Sequence, residues 1–400
     1  MTAQEWIWCA FIFSFGCCIG SFLNVVIYRL PREKSLVSPG SACPGCGTPI
    51  RFYDNIPLVS WLLLGAKCRQ CKTPISPRYF IVELLTAVLF LGLYLLLFHT
   101  SVRPAVQVEG GWFVYCLYLV LVAAFIAGSG IDLELWIIPL SICWLVTAAG
   151  LVGSAVGGYL IDPAVLAEYS LLPVASPATG ALALGAAVGL AVGLGLLRTG
   201  LLQRSYEVPE GAEVPEGAEG PAEPAAEQAK TQDGGTPFGD EPEFNHRLEM
   251  LREIVFLTPI ILGAIAAHMI LRRIEPVAAW WEGLLHYPAV AGFFGSLFGY
   301  FVGAAAIWAT RVFGTLAFGK EAMGLGDVHL MGAAGTVVGP VMVVFAFFIA
   351  PFFGLGWALF QMFFKKTRQI PYGPFLSLAV FTVIIFHDWI LNRFAFLVAQ

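Results

Sequence analysis

Ten separated stretches of this chain are apolar enough to matter to a lipid bilayer, and no motif constrains the fold as tightly as that repetition. Eight run near 5–27, 80–98, 112–131, 137–159, 176–198, 254–272, 290–313 and 373–396, each close to the roughly 20 residues a helix needs to span. A longer apolar run between Asp327 and Phe364 is interrupted by Pro340 and Pro351, which predicts a short helix over 328–339 and a full span over 340–363. Backbone groups in lipid must be satisfied within the segment, so these stretches are expected to be helices. The fold class that follows is an all-α polytopic membrane protein of about eight to ten transmembrane helices. Composition agrees: 12% of the residues are charged and 58% hydrophobic, where soluble domains carry about 25% charge. Collagen, disulfide scaffolds and disordered chains are excluded.

The first stretch lacks a basic start and a small-residue cleavage site and runs directly into Tyr28-Arg-Leu-Pro31, so it is expected to stay in the mature protein. Residues 28–79 carry Arg29, Arg32, Lys34, Arg51, Lys67, Arg69, Lys72 and Arg78 against Glu33 and Asp54, which predicts a cytoplasmic loop. Threading the spans from there places 99–111 and 160–175 on the far side, together with Arg272 and Arg273. Residues 205–245 hold a tandem hexamer, Glu207-Val-Pro-Glu-Gly-Ala and Glu213-Val-Pro-Glu-Gly-Ala. Such a composition cannot bury a core and predicts a flexible acidic cytoplasmic linker. The expected organisation is a first transmembrane helix (1–27), a cytoplasmic four-cysteine domain (28–79) and helices carrying the first candidate acid (80–199). The acidic insertion (200–253), an additional helix and loop (254–289) and the closing helices (290–400) follow.

Four of the nine cysteines share the basic loop. They read Cys43-Pro-Gly-Cys46 and Cys68-Arg-Gln-Cys71, the spacing of two knuckles that close a tetrahedral thiolate site on zinc. A pair of disulfides is the alternative, but a loop facing a reducing compartment would not keep them. Four protein ligands leave no open position, so the zinc is expected to be structural.

Acidic residues at bilayer depth are costly and mark function. Asp132 ends the third span, and Asp327 opens the short helix within Met323-Gly-Leu-Gly-Asp327. Gly324 and Gly326 leave the backbone bare beside Asp327 and are candidate substrate contacts. Two aspartates brought together cannot both ionise cheaply. One keeps a proton, and such a pair can hydrolyse an amide, the ionised member taking a proton from water while the other polarises the carbonyl. The bland alternatives are a helix N-cap for Asp327 and a headgroup-solvated boundary residue for Asp132. Glu134, Glu321, His329 and Asp388 read as interfacial, and Glu83 as a possible partner for a base of the loop.

In this order the motifs resemble the prepilin peptidases, the GxGD-type aspartic proteases and N-methyltransferases of type IV pilus and type II secretion systems. The resemblance is carried by Gly20-Ser-Phe-Leu-Asn-Val-Val-Ile-Tyr-Arg-Leu-Pro31, the four cysteines, Tyr53-Asp-Asn-Ile-Pro57 with Ser60-Trp61, and the segment from Ile131-Asp132 to Pro139. Gly319-Lys-Glu-Ala-Met-Gly-Leu-Gly-Asp327 and Pro371-Tyr-Gly-Pro-Phe375 complete it. It implies catalytic roles for Asp132 and Asp327, zinc on Cys43, Cys46, Cys68 and Cys71, and prepilins or pseudopilins as substrates at the cytoplasmic face of the inner membrane. It also implies S-adenosylmethionine as methyl donor, for which the residues name no binding site. His329 stands where the family usually has lysine, Ala322 where it has glycine, and Leu140 where aspartate often follows the proline. None of these removes a candidate acid. The lipid bilayer is the expected surrounding, and no nucleic-acid partner is expected. Two other functions compete: an intramembrane aspartyl protease with other membrane substrates, and a proton-coupled transporter, which would need its acids nearer the midplane.

Overall fold

The computed structural model describes residues 2–100, 102–103, 110–162, 165–166, 169–206, 245–364 and 371–394. The hexamer repeat and the basic group Lys365, Lys366 and Arg368 lie outside the described residues.

All regular elements among the described residues are helical, apart from two isolated β-bridges in the cysteine loop. In chain order they are α1 (Ala3–Arg29), α2 (Val59–Leu63), α3 (Pro77–Phe98), α4 (Gly111–Leu135), α5 (Leu140–Leu160), α6 (Pro177–Arg198) and α7 (His246–Arg273). There follow α8 (Glu275–Leu285), α9 (Pro288–Phe318), α10 (Leu325–Val338), α11 (Pro340–Phe364), α12 (Gly373–Ile385) and α13 (His387–Arg393). Eight of these, α1, α3, α4, α5, α6, α7, α9 and α11, are long and apolar enough to cross a membrane. The bent pair α12–α13 makes a ninth if counted as one span. The expected class, all-helical and multi-spanning with a cysteine domain between the first two spans, is the one observed.

Glycine sets how closely the helices approach. A Cβ on Gly16 would fall 2.6 Å from the Ala87 backbone, and one on Gly20 2.6 Å from that of Glu83, so α1 and α3 meet backbone to backbone. The same holds for α9 and α10, where a Cβ on Gly299 or Gly335 would stand 2.1 Å from the other's carbonyl oxygen. Without a hydrophobic drive between helices in lipid, such close dispersion contact is what holds a bundle together.

Two ends of the bundle can be followed through named contacts. Arg78, at the start of α3, pairs with Glu134 in the last turn of α4, so the cysteine domain and Asp132 lie at one end. At the other end Gly339, between α10 and α11, faces Pro173 of the loop joining α5 to α6. There Arg103, fully buried, pairs with Asp388 at 3.4 Å and donates to the Tyr118 hydroxyl.

The break at Gly339–Pro340 falls where the prolines predict it. The last apolar stretch does not run straight: α12 stops at Ile385, and α13 leaves at 73°. His387 and Asp388 start α13, and His387 is buried. The polar interaction with Arg103 lies at this bend, where hydropathy alone predicts a continuous helix. Asp388 is thus a partner of a buried cation rather than a boundary residue.

Candidate active site and cysteine cluster

Asp132 lies in the last turn of α4 and is buried, at 6% exposure. Trp136 caps that helix in the left-handed region (φ 59°), and its amide donates to the Asp132 carbonyl at 3.0 Å. The turn then carries Ile138 under the site before α5 begins at Leu140. Asp327 is the third residue of α10 and is 8% exposed. Its carboxylate reaches back to the amide of Gly324, the N-cap, and lies within electrostatic reach of Asp132. Its place at a helix N-terminus fits the N-cap-region chemistry of an acid, and the same place faces it towards the second acid.

The site has a third wall that sequence reasoning does not single out. Gly373, the first residue of α12, donates its backbone amide to Oδ2 of Asp132 at 3.0 Å. A Cβ there would stand 2.7 Å from that oxygen and 3.1 Å from Ile138. The only signal in the chain is the Pro371-Tyr-Gly-Pro-Phe375 motif, which names the place without its partner. Ile138 also explains one of the candidate substrate-contact glycines. A Cβ at Gly326 would be 2.9 Å from the Cβ of Ile138, whereas at Gly324 it would meet nothing closer than Asp327 at 3.7 Å. Gly326 is therefore needed for packing, and Gly324 is the position that leaves backbone open. Among the weaker candidates, Glu321 pairs with Arg311, and His329 shares a 3.0 Å hydrogen bond with the Tyr300 hydroxyl.

The cysteine domain is built as two copies of one local structure. Each runs Cys-x-x-Cys-x-Thr-Pro: the Cys43 amide donates to Thr48 and the Gly47 amide to Cys43, while the Cys68 amide donates to Thr73 and the Lys72 amide to Cys68. Gly47 and Lys72 occupy equivalent places with φ of 69° and 59°. The sulfurs of Cys43, Cys46, Cys68 and Cys71 all lie within 4.8 Å of one another. Cys43 Sγ and Cys71 Sγ are 3.6 Å apart, near the ~3.8 Å edge of a tetrahedron with Zn–S bonds of about 2.3 Å, and far beyond a disulfide bond. The cluster could hold a metal such as zinc, and its four thiolates suit a closed structural site. Beside it Arg69 donates to Asp54 at 2.9 Å and holds that carboxyl below the usual carboxylate range.

Glu83 fixes this domain to the bundle. Its Oε2 accepts the Leu58 amide at 2.8 Å rather than pairing with a base of the loop. Leu58 (φ 60°, ψ −50°) is the centre of a γ-turn closed by the Val59 amide on the Pro57 carbonyl at 2.6 Å, a strained conformation that needs such an anchor.

The fold and the site define a multi-pass helical membrane protein with two acids gathered at one end, beside a four-cysteine domain. The chain belongs to the type IV leader peptidase family. The model described as "Type IV leader peptidase family" matches residues 253–359, and so takes in α7 as well as Asp327, and "Bacterial Peptidase A24 N-terminal domain" matches 14–97. Several relatives carry the name prepilin leader peptidase/N-methyltransferase. The protein of Myxococcus xanthus is 49% identical over 133 residues, 33% of this chain and 36% of its own length. That of Aeromonas hydrophila is 36% identical over 179 residues, 39% and 58% of the two chains. That of Klebsiella pneumoniae is 39% identical over 169 residues, 38% of this chain and 71% of the relative. The chain thus spans less than two thirds of the first two relatives it matches. No solved structure matches.

Proposed function

We propose that this protein is a membrane aspartic endopeptidase that removes the leader of type IV prepilins or pseudopilins, with Asp132 and Asp327 as its catalytic pair. The observation that carries this reading is the approach of two buried acids from the ends of α4 and α10, within electrostatic reach of each other. Ile138 packs against both Gly326, beside Asp327, and Gly373, whose amide holds Asp132. One carboxylate takes a proton from water as the water oxygen attacks the scissile carbonyl carbon. The other donates its proton to the carbonyl oxygen; collapse then breaks the C–N bond and the amine leaves protonated. Open backbone at Gly324 gives an extended substrate strand a place beside Asp327.

The excess of basic residues over 28–79 supports a cytoplasmic position for the cysteine domain and, with it, for both acids at the inner membrane. A zinc ion held by Cys43, Cys46, Cys68 and Cys71 would supply the cross-link that a domain of this size lacks in core. The names of the relatives support a second step, methylation of the new N-terminal amine, for which the resemblance implies S-adenosylmethionine as the donor.

The test is leader cleavage by purified protein in bilayers. Asp132→Asn and Asp327→Asn should each abolish cleavage while melting temperature is kept; cleavage retained in either removes the assignment. A leaderless pilin with labelled methyl donor separates the second activity from the first.

A further inference from the structure

Arg311 sits inside α9, 1% exposed. A guanidinium at that depth is tolerated only with close partners, and its partners come from three parts of the chain. Its Nε and Nη2 donate to Oε1 of Glu253 on α7 at 3.1 and 3.0 Å. Its Nη1 donates to Glu321 and to the backbone carbonyl of Met323. Glu253, itself 4% exposed, is steadied by the Trp308 indole N–H at 2.7 Å. The ring of Tyr206 lies against the guanidinium, 5.5 Å from ring centre to Cζ.

Met323 immediately precedes Gly324, the N-cap of α10, and Asp327 is four residues on. The loop from Gly319 to Gly324 is tied at several points, with Ala322 against Gly314 of α9 and the Met323 side chain on the core. Gly319 ends α9 in the left-handed region, and the Ala322 amide bonds the Thr315 hydroxyl at 3.0 Å. Among these, the tie from Arg311 to Met323 is the polar one nearest the start of α10, and so the one closest to the Asp327 carboxylate.

We propose that Arg311 is a positioning residue of the Asp132–Asp327 site, with Glu253 as the anchor that orients it. The proposal rests on the peptidase reading above. The planar fork of arginine serves Glu253 with one edge and Met323 with the other, and a lysine ammonium at the same place keeps the charge but cannot span both. An error of about 1 Å in a reacting group is enough for a loss of about a hundredfold in rate.

The experiment measures kcat and KM for a prepilin substrate with full-length protein in lipid vesicles, beside melting temperature, for wild type, Arg311→Lys, Arg311→Met, Glu253→Gln and Asp327→Asn. Arg311→Lys should lower kcat by about ten- to a hundredfold, with KM within about twofold and melting little changed. Glu253→Gln keeps an acceptor for the guanidinium but turns an amide N–H towards the Trp308 indole N–H, so it should lose part of the rate, and less than Arg311→Met, which removes both the charge and the tie to Met323. If Arg311→Met does not fold, the lysine variant decides. A kcat for Arg311→Lys within twofold of wild type, or a loss confined to KM or matched by loss of folded protein, overturns the proposal. Wild type that cleaves no faster than Asp327→Asn overturns the peptidase reading instead.

Discussion

The backbone amide of Gly373 holds Oδ2 of Asp132 at 3.0 Å across 241 residues of sequence. It ties the end of α4 to the start of α12 and leaves the remaining carboxylate oxygen of Asp132 free of that bond. Because the donor is a main-chain group on a helix end, it keeps its direction without any side chain of its own.

A methyl group at this position cannot be absorbed without moving the acid. Gly373→Ala places a Cβ 2.7 Å from Oδ2, and cleavage should fall by about a hundredfold with the bundle still folded. Leader-processing rate and melting temperature measured together check this; a rate near wild type would mean that Asp132 does not depend on its present rotamer.

Glu83 should matter for the cysteine domain rather than for the acids. Glu83→Ala leaves the Leu58 amide without its acceptor, a cost of about 1–3 kcal/mol, whereas Glu83→Gln keeps an oxygen there and should be close to neutral. Limited proteolysis of residues 30–76 is the readout, with faster cutting expected for alanine alone.

Metal content gives an independent check on the knuckles. One zinc ion per chain should be found by elemental analysis, and either Cys43→Ser or Cys68→Ser should lose it, because each knuckle supplies half of the ligands. A strong chelator should expose the same 30–76 segment to protease while the spanning helices stay protected.

The doubled knuckle makes a stabilising substitution legible. Lys72 carries φ 59° where the other copy has Gly47 at 69°. Lys72→Gly should raise the stability of the domain by about 0.5–1 kcal/mol and Gly47→Ala should lower it by a similar amount. Metal retention against a graded chelator reads both.

The opposite sign is expected at Gly335. An alanine Cβ there would lie 2.1 Å from the Gly299 carbonyl oxygen, so α9 and α10 must separate. The loss should be about 1–3 kcal/mol or more, seen as a lower melting temperature.

Much of the bundle was readable from hydropathy, since lipid imposes helices and proline marks their ends. The predicted break between 339 and 340 matches Val338 and Pro340 as observed. The cysteine cluster was equally legible, because metal geometry ties spacing to function. What sequence could not supply were contacts between distant segments. Gly373 is silent about Asp132 until the helices are assembled, and Asp388, just past the bend at Phe386, meets Arg103 from the loop that follows α3. Arg311 did leave a trace, a lone cation within a spanning stretch, but Glu253 could be named as its partner only in three dimensions.

The short helix α10 has a consequence for how the protein should respond to its surroundings. At 14 residues it reaches only about 21 Å, less than the hydrocarbon core of about 30 Å. It is buried by protein along most of its length, so acyl-chain length does not set its position. Vesicles of thin and thick lipids should tilt the outer helices to different degrees, yet Asp327 should keep the same register against Asp132 in both.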